Sequence, residues 1–168
     1  KSSRKELTLD EKALDVASIR YVLVSDVAVA YLDFFRARGY PQAYRAEGVT
    51  IFENVDYLPS AALVPVLLPS EDLLPDIDPA IGAVSADDVL LQQARQLGIP
   101  ERAVVLPVAA AKAVILSSRN TLVEVETVSE SAAVLVLSDT WHPAWRATVD
   151  GVPAYVGRVN EAFRGVVV

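Results

Sequence analysis

Apolar and polar residues alternate with a period of two over much of the second half of the chain. Over 122–128 the alternation leaves Glu124 and Glu126 on one side, which predicts a strand with one face in water. The run 132–137 is apolar throughout, which predicts a strand at the centre of a sheet. The Asp-Gly pair at 150–151 lies between two strand-like runs and predicts a tight hairpin turn.

The strand-like runs after residue 100 follow one another along the chain with short gaps. The predicted strands cover 103–107, 112–116, 122–128, 132–137, 145–149, 152–156 and 164–168. Short successive strands joined by tight turns are typical of an antiparallel sandwich. The sequence therefore predicts an antiparallel β-sandwich in the second half.

Helical spacing of apolar residues predicts helices in the first half. Thr8 is a suitable N-cap for a helix over 9–17, and Asp26 for a second helix that ends at Gly39. Strands are predicted over 19–24, 43–45, 49–53 and 61–69. Pro65 lacks an amide donor, which places the last of these strands at the edge of a sheet.

A third helix is predicted over 85–97, in the middle of the chain. Ser85 and Asp88 form a capping box at its start, and Gly98 followed by Pro100 ends it. The expected fold class is therefore α+β and mostly β, with two or three helices in the first half and middle and the antiparallel sandwich in the second half.

The composition agrees with a single globular core. The chain has 168 residues, of which 52% are apolar, and this is enough to bury one substantial core. We expect one soluble domain over 1–168. Its predicted parts are a partly flexible lead-in (1–18), an α+β portion (19–99) and an antiparallel β portion (100–168).

Charge and residue usage exclude several classes of function. The formal net charge is -7 and the basic residues are scattered, so the chain would repel phosphate backbones, and we expect no nucleic-acid partner. The sequence has no cysteine, and His142 is its only histidine. Disulfides and thiolate metal sites are therefore excluded, and we expect neither a metal nor a cofactor.

No segment has the length and composition of a membrane helix. The longest apolar run, 103–116, contains Pro107 and Lys112 and is shorter than the roughly 20 residues that a span needs. The polar start lacks the apolar centre of a signal peptide. Because the sequence contains no methionine, even at position 1, we expect it to be part of a longer protein.

The acidic stretch 69–85 has no periodicity, which predicts a long surface loop. Asp72, Asp76 and Asp78 lie close in sequence and suggest a calcium site. Their spacing differs from that of a calcium-binding loop, and the supporting glycine is missing. A solvated acidic loop is therefore the preferred interpretation.

Trp141, His142 and Asp139 are the candidate glycan-binding residues. Indole faces suit the C–H faces of sugar rings, while imidazole and carboxylate groups can bond the hydroxyls. Alternatively, the tryptophans are core or lid residues at a strand corner, and His142 is a surface loop residue. Both interpretations remain open at this point.

No catalytic residue is predicted. Ser138, Asp139 and His142 resemble parts of a hydrolase triad, but the sequence has no nucleophile elbow and no oxyanion loop around them. Glu124 and Glu126 would lie side by side on one strand face rather than across a cleft. We expect the chain by itself to have neither transferase nor hydrolase activity.

Trp145 is expected to anchor a structural corner that also contains Pro143, Asp150 and Gly151. The next two residues on its strand face are apolar, which directs the indole towards the core side of the sheet. The Trp141–His142 pair is expected to lie nearer to solvent.

Three segments, in a fixed order, resemble a known family. They are IRYVLVSD (19–26), VTIFENVDYLPSAALVPV (49–66) and LVLSDTWHPAWRATVDGVPAYVGRVNEAFRGVVV (135–168). Together they look like the C-terminal extracytoplasmic part of bacterial YfhO-type multi-pass membrane proteins. The residues that carry the resemblance are Phe52, Glu53, Asn54, Leu58, Pro59, Ala61, Trp141, Pro143, Trp145, Arg146, Ala147, Asp150, Gly151, Asn160, Phe163 and Arg164.

The YfhO-type proteins resemble glycosyltransferases that use lipid-linked sugars. The resemblance implies a location on the extracytoplasmic face of a bacterial cell membrane and an accessory role in cell-envelope glycosylation. The domain would place an acceptor glycan or glycolipid, or brace the membrane-embedded part of the same polypeptide. The alternative is a free-standing carbohydrate-binding or adhesion sandwich. Ala144 and Ser60 depart from the glycine and arginine usual in the family, so the resemblance implies no ligand role for either.

Overall fold

The computed structural model describes residues 11–69, 82–101 and 111–168. The chain divides into two compact units, Lys1–Tyr57 and Leu58–Val168. The sequence predicts one domain and does not indicate this division. Several predicted features lie outside the described residues. They are the Thr8 cap, most of the lead-in, the acidic stretch over 70–81 with its three aspartates, and the strand predicted over 103–107.

The first unit consists of a three-stranded antiparallel sheet and two helices. Its elements are α1 (Glu11–Val16), β1 (Tyr21–Ser25), α2 (Val29–Ala37), β2 (Gln42–Ala46) and β3 (Val49–Glu53). The strand order is β1-β3-β2. The apolar core is formed by Val24, Leu32, Phe34, Phe35 and Phe52.

Asn54 is a buried polar residue at the end of β3, with 1% of its surface exposed. Its Nδ2 donates to Asp15 Oδ1 at 2.7 Å and to the Ile19 carbonyl at 3.1 Å. Its Oδ1 accepts from the Asp56 backbone N–H at 3.2 Å. One side chain therefore connects the end of β3 to α1 and to the residues before β1.

The N-cap predicted for α2 is wrong. The helix begins at Val29, and Ala28 before it makes no side-chain cap. Asp26 instead accepts a hydrogen bond from Thr50 Oγ1 at 2.8 Å and pairs with Arg45 at 3.3 Å. The Thr50 hydroxyl and then Arg45 lower the pKa of Asp26, since both stabilise the charged carboxylate.

The second unit contains the remaining strands and one helix. Its elements are β4 (Ala61–Val64), β5 (Val66–Pro69), β6 (Gly82–Ser85), α3 (Asp88–Gln96), β7 (Lys112–Arg119), β8 (Leu122–Val128), β9 (Val134–Thr140), β10 (Ala147–Val149), β11 (Val152–Ala154), β12 (Gly157–Val159) and β13 (Phe163–Val167). The described part of the chain is therefore mostly β, with several antiparallel sheets and three helices, as the sequence predicts at this level.

A four-stranded antiparallel sheet, in the order β12-β13-β9-β4, is the centre of the second unit. On one face Val134, Val136 and Val159 pack with residues of α3. On the other face Ala61, Leu63 and Leu135 pack with residues of the β7–β8 hairpin. The apolar run predicted to be internal lies between two partner strands, which confirms that prediction.

Two glycines allow α3 to approach the sheet closely. A Cβ atom at Gly157 would lie 2.8 Å from Leu90 Cβ. A Cβ atom at Gly165 would lie 2.5 Å from Val159 Cγ1 and 3.2 Å from Leu90 Cδ2. Larger residues at either position would push the helix away from the sheet.

The cap predicted for α3 is also wrong. Asp87 is the N-cap, and its carboxylate accepts from two backbone N–H groups of the first turn. Ser85 ends β6, where its hydroxyl donates to the Arg158 carbonyl at 2.7 Å. Tyr155 donates to the second Asp87 oxygen at 2.9 Å. Burial first, and then this bond to the carboxylate, raise the pKa of Tyr155.

Other local predictions are confirmed or corrected by strand pairing. The Asp-Gly turn joins β10 to β11 in an antiparallel hairpin, as predicted. The single strand predicted over 61–69 is wrong, because Pro65 divides it into β4 and β5 in different sheets, but β4 lies at a sheet edge, as predicted. The pairing of β5 with β6 is parallel and was not predicted. No helix among the described residues is long and apolar enough to cross a bilayer.

Candidate functional site

A groove of about 580 Å³ lies on the hairpin side of the four-stranded sheet. Its two walls are β8 and the segment from Ala144 to Asp150, and its floor is formed by β9 and β13. This volume is within the range of about 300–1,000 Å³ found for small-molecule pockets.

Both walls of the groove are open strand edges. β8 pairs only with β7, and β10 pairs only with β11, among the residues that the structure describes. The groove is lined by β8 and β10 but not by their partners, so it faces the side of each strand that has no neighbour. Backbone N–H and C=O groups on these sides have no backbone partner in the described chain.

The floor is mostly apolar because strand alternation directs one set of side chains into it. Leu135 and Leu137 on β9 line the groove, together with Arg164 and Val166 on the adjacent β13. Arg164 pairs with Leu137 and Val166 with Leu135 in the sheet register. An arginine therefore occupies a position on this face where its strand neighbours are apolar.

Arg164 is buried, with 4% of its side chain exposed, and it has few partners. Its Nη2 donates to Asp139 Oδ2 at 2.5 Å, while Nε has no partner among the described residues. The guanidinium carbon lies 4.1 Å from the centroid of the Trp145 ring. A desolvated cation–π contact of this kind contributes about 2 kcal/mol.

Both carboxylate oxygens of Asp139 accept hydrogen bonds within the chain. One carboxylate oxygen accepts from Arg164, and the other accepts from the Thr140 backbone N–H at 2.7 Å. The side chain is nevertheless 65% exposed. It reaches the groove only through Arg164, since Asp139 is not among the residues that line it.

Trp145 is positioned by a turn that begins at His142. The Trp145 N–H donates to the His142 carbonyl at 3.0 Å, with Pro143 in the second position that such turns favour. His142 Nδ1 accepts from the Ala144 N–H at 3.1 Å. Arg146 donates from Nη1 to the Pro143 and Trp145 carbonyls, at 2.8 Å each. Ala144 has no positive φ, so this turn does not require the glycine that the resemblance predicts.

Trp141 lies outside the groove lining. Its Nε1 donates to the Val156 carbonyl at 3.1 Å, and its backbone N–H donates to the Ala162 carbonyl at 2.7 Å. Arg158 lies over the ring, 5.9 Å from the centroid. Trp141 and Trp145 are both half-buried, and His142 is exposed.

The Asp150-Gly151 turn ends the wall formed by β10. Both residues have positive φ, at 50° and 80°, which is the backbone geometry of a type I′ hairpin. A β-carbon at Gly151 would meet no atom within 4 Å, so the glycine is required by φ and not by space. Asp150 and Arg146 both line the groove.

The possible triad of Ser138, Asp139 and His142 is not assembled. Ser138 Oγ donates to the Ser60 carbonyl at 3.5 Å, Asp139 binds Arg164, and His142 accepts within its own turn. Among the described residues, no group of three acidic or histidine side chains is arranged to hold a metal ion.

Trp145 and Asp150 of the predicted corner thus line the same groove. Arg146 and Arg164 line it as well. Sequence reasoning named Arg164 only as a residue that carries the family resemblance and not as a site residue, although a signal for the site was present. Alternation on the last strand places Arg164 on the same face as Val166 and Val168, so an isolated charge among apolar neighbours was visible.

The functional interpretation depends on this geometry and on the sequence resemblance. Comparisons with protein-family models, with curated proteins and with solved structures gave no match.

Proposed function

We propose that this chain is the extracytoplasmic domain of a YfhO-type bacterial membrane protein and is accessory to lipid-linked sugar transfer. Its role is to brace the membrane-embedded part of the same polypeptide by binding a segment of polypeptide. The observation that carries this role is the groove with an open strand edge on both sides. Backbone edges bind other backbones, since their N–H and C=O groups are spaced for a strand.

The groove also supports a proposal about the architecture. The β7–β8 hairpin packs on the four-stranded sheet through Ala113 and Val125, which contact the cluster around Leu63. We propose that the two form opposite layers of an antiparallel sandwich. The layer that contains the hairpin is incomplete at the groove, so the proposed binding role and the proposed sandwich depend on the same open edges.

A second candidate function is supported by Trp145. Its ring lines the groove, and its Nε1 has no hydrogen-bond partner among the described residues. An indole with a free donor beside Arg146 and Asp150 suits a sugar ring. On this alternative the domain places an acceptor glycan, or acts as a free-standing carbohydrate-binding module.

The family proposal is tested with an antibody raised against this domain. We expect it to detect a polypeptide much larger than 18.1 kDa in the membrane fraction of the source cells, with the epitope open to protease from outside. A protein of about this size, released without detergent, would contradict the proposal. Such a result would favour the free-standing module.

The glycan alternative is tested with the purified chain on an array of neutral, acidic and amine-bearing glycans. Binding that is lost in Trp145→Phe and kept in Trp141→Phe would favour acceptor placement over bracing. Trp141→Phe is the matched control, because the same substitution then falls outside the groove lining.

A further inference from the structure

We propose that the groove accepts one extended polypeptide strand between β8 and β10, which joins the two hairpins into a five-stranded sheet. The order would be β7-β8-strand-β10-β11. This inference rests on the proposed function and names the chemistry of the partner. The partner is a polypeptide in β conformation, recognised mainly through its backbone.

The strand pairing of the two walls favours a bound strand. Each hairpin is a separate two-stranded sheet in the described chain, and each presents its unpaired side to the same groove. An isolated two-stranded sheet is marginally stable in water, and the β7–β8 hairpin is supported by its packing on the four-stranded sheet. A strand that pairs with both walls would satisfy the open backbone groups on each side and remove two of the edges.

The positions of proline and lysine on the strands of the two hairpins also favour a bound strand. Natural sheets block exposed edges with proline or lysine. On the outer strands, β11 contains Pro153 and β7 contains Lys112, and Pro65 follows the edge strand β4. Neither β8 nor β10 contains a proline or a lysine. Of the two hairpins, the described outer strands β7 and β11 therefore carry a lysine or a proline and the strands that face the groove do not, although β8 carries the charged Glu124 and Glu126.

The apolar floor of the groove determines which side chains a bound strand can carry. Leu135, Leu137, Val166 and Val168 present an apolar surface to the groove. Side chains of a bound strand would alternate between this floor and the solvent. The residues that point inwards must therefore be apolar and those that point outwards polar. Arg164 and Trp145, at the corner end, leave less apolar surface for the last inward residue.

The charges of the lining do not select a strongly charged strand. Arg146 and Arg164 are balanced in number by Glu124 and Asp150. Arg164 is moreover already paired with Asp139. The proposed strand therefore carries little net charge, and its affinity depends on backbone bonds and on apolar burial.

The test is binding of synthetic peptides to the purified chain, measured by calorimetry. The probe is a peptide as long as β8 in which valine alternates with threonine. Its controls are a peptide of the same composition with the valines grouped, and the alternating peptide with N-methyl groups on alternate residues. Since each lost hydrogen bond costs about 0.5–1.5 kcal/mol, the methylated control should bind at least about tenfold more weakly.

The location is tested with a matched pair of variants. Ala147 and Ala154 are cross-strand partners on the β10–β11 hairpin, but only Ala147 lines the groove. Ala147→Trp should abolish peptide binding, and Ala154→Trp should not. Amide hydrogen exchange should slow at β8 and β10 when the alternating peptide binds, and amides of β2 and β3 should be unaffected.

Several outcomes would overturn the inference. Equal binding of the alternating, grouped and methylated peptides would exclude recognition as a strand. Dimerisation of the chain that Ala147→Trp abolishes would make a second copy the occupant. Binding of glycans in the groove without binding of any peptide would exclude a polypeptide. If no peptide binds but the antibody detects a large membrane protein, the inference of strand binding is wrong while the family proposal is supported. If the peptide binds but the large membrane protein is absent, the inference of strand binding is supported while the family proposal is wrong.

Discussion

The guanidinium carbon of Arg164 lies 4.1 Å from the centroid of the Trp145 ring, so a buried cation covers one face of the indole at the corner of the groove. The cation has one ionic partner, Asp139, whose side chain is largely exposed. Burial is therefore unequal across this ion pair. The cost of losing one partner depends on which of the two remains.

We expect Asp139→Ala to destabilise the second unit more than Arg164→Met does. Without Asp139, a guanidinium that is 4% exposed keeps only the indole, and an unpaired buried polar group costs about 1–3 kcal/mol or more. Without Arg164, the carboxylate is hydrated at the surface, while methionine fills the space and contacts the ring. Urea unfolding followed by tryptophan fluorescence measures this difference, because both tryptophans lie in the second unit.

Glu126→Ala is the control, since Glu126 is exposed and has no described ion pair. It should change the free energy of unfolding by no more than about 0.5 kcal/mol. A larger loss in Arg164→Met than in Asp139→Ala would show that the cation–π contact, and not the burial of the charge, dominates at this corner.

Gly165→Ala should destabilise the second unit by about 1–3 kcal/mol through overpacking against Val159. The new methyl group would lie 2.5 Å from Val159 Cγ1, which is closer than atoms can pack. Adding Val159→Ala should recover part of this loss, so that the two substitutions are not additive. Thermal unfolding of both single variants and the double variant measures the coupling.

Gly151→Ala is the matched control for the double-mutant cycle of Gly165→Ala and Val159→Ala. It too should be destabilising, but the reason is its φ of 80°, since a Cβ there would meet no atom within 4 Å. Val159→Ala should therefore not reduce its effect. If Val159→Ala relieved both glycine variants equally, the steric explanation for Gly165 would be wrong.

Local sequence signals predicted much of the second unit. The Asp150-Gly151 turn has backbone geometry that few residues adopt, so its sequence identifies the hairpin. The run 132–137 is apolar on both faces, which is needed where both faces of the sheet are covered, here by α3 and by the β7–β8 hairpin. In both cases the physical constraint is confined to a few neighbouring residues.

The groove could not be predicted in the same way, because it depends on contacts between distant segments. β4 pairs with β9, which is about seventy residues further along the chain, and no local pattern specifies that partner. The capping box at Ser85 failed because Asp87 offered a competing cap and Ser85 bonded to Arg158 instead. Arg164 was not predicted as a site residue because arginine is usually exposed, and its burial here depends on Asp139 and Trp145.

Asn54→Ala should destabilise the first unit. The side chain bonds Asp15, the Ile19 carbonyl and the Asp56 N–H from a site that is 1% exposed. Its removal leaves buried polar groups without this partner, at a cost of about 1–3 kcal/mol. Amide hydrogen exchange in β1 and β3 would report it. Val55→Ala, at the exposed next residue, is the control, and equal effects of the two variants would contradict the structural role.

Tyr40 should make stability fall at alkaline pH. Burial, and secondly the neighbouring Glu11 carboxylate, raise the pKa of Tyr40 from 10.0 to about 12. The folded state therefore holds this proton more tightly than the unfolded state does. The resulting stabilisation is complete below pH 10 and is lost as the pH rises to about 12. Denaturant midpoints for the wild type and for Tyr40→Phe, measured over this range, test the prediction.

Glu11→Gln separates the two causes of the raised pKa of Tyr40, which are burial and the Glu11 carboxylate. The tyrosine hydroxyl donates to Glu11 Oε2 at 3.3 Å, and amide substitution removes the negative charge but not the burial. The pKa of Tyr40 should therefore fall only part of the way towards its ordinary value, as followed by tyrosinate absorbance. Identical alkaline stability profiles for the wild type and Tyr40→Phe would show that Tyr40 does not contribute.

The two tryptophans of the corner should respond differently to the same substitution. The sequence predicts Trp145 as the anchor and Trp141 as the more exposed residue, yet both rings are half-buried. Trp141 has a hydrogen bond from Nε1 to the Val156 carbonyl, whereas Trp145 has only its ring face on Arg164. Phenylalanine keeps an aromatic face but loses the N–H donor.

We therefore expect Trp141→Phe to cost about 1 kcal/mol through the lost hydrogen bond, and Trp145→Phe to cost less. Calorimetric unfolding measures both without relying on indole fluorescence. Arg158→Ala is a control for Trp141, because the guanidinium carbon is 5.9 Å from that ring and its loss should have little effect. A greater loss of stability in Trp145→Phe than in Trp141→Phe would instead support Trp145 as the anchor. The indole at the groove would then be a structural residue whose ring is fixed by Arg164 and is not free to contact a ligand.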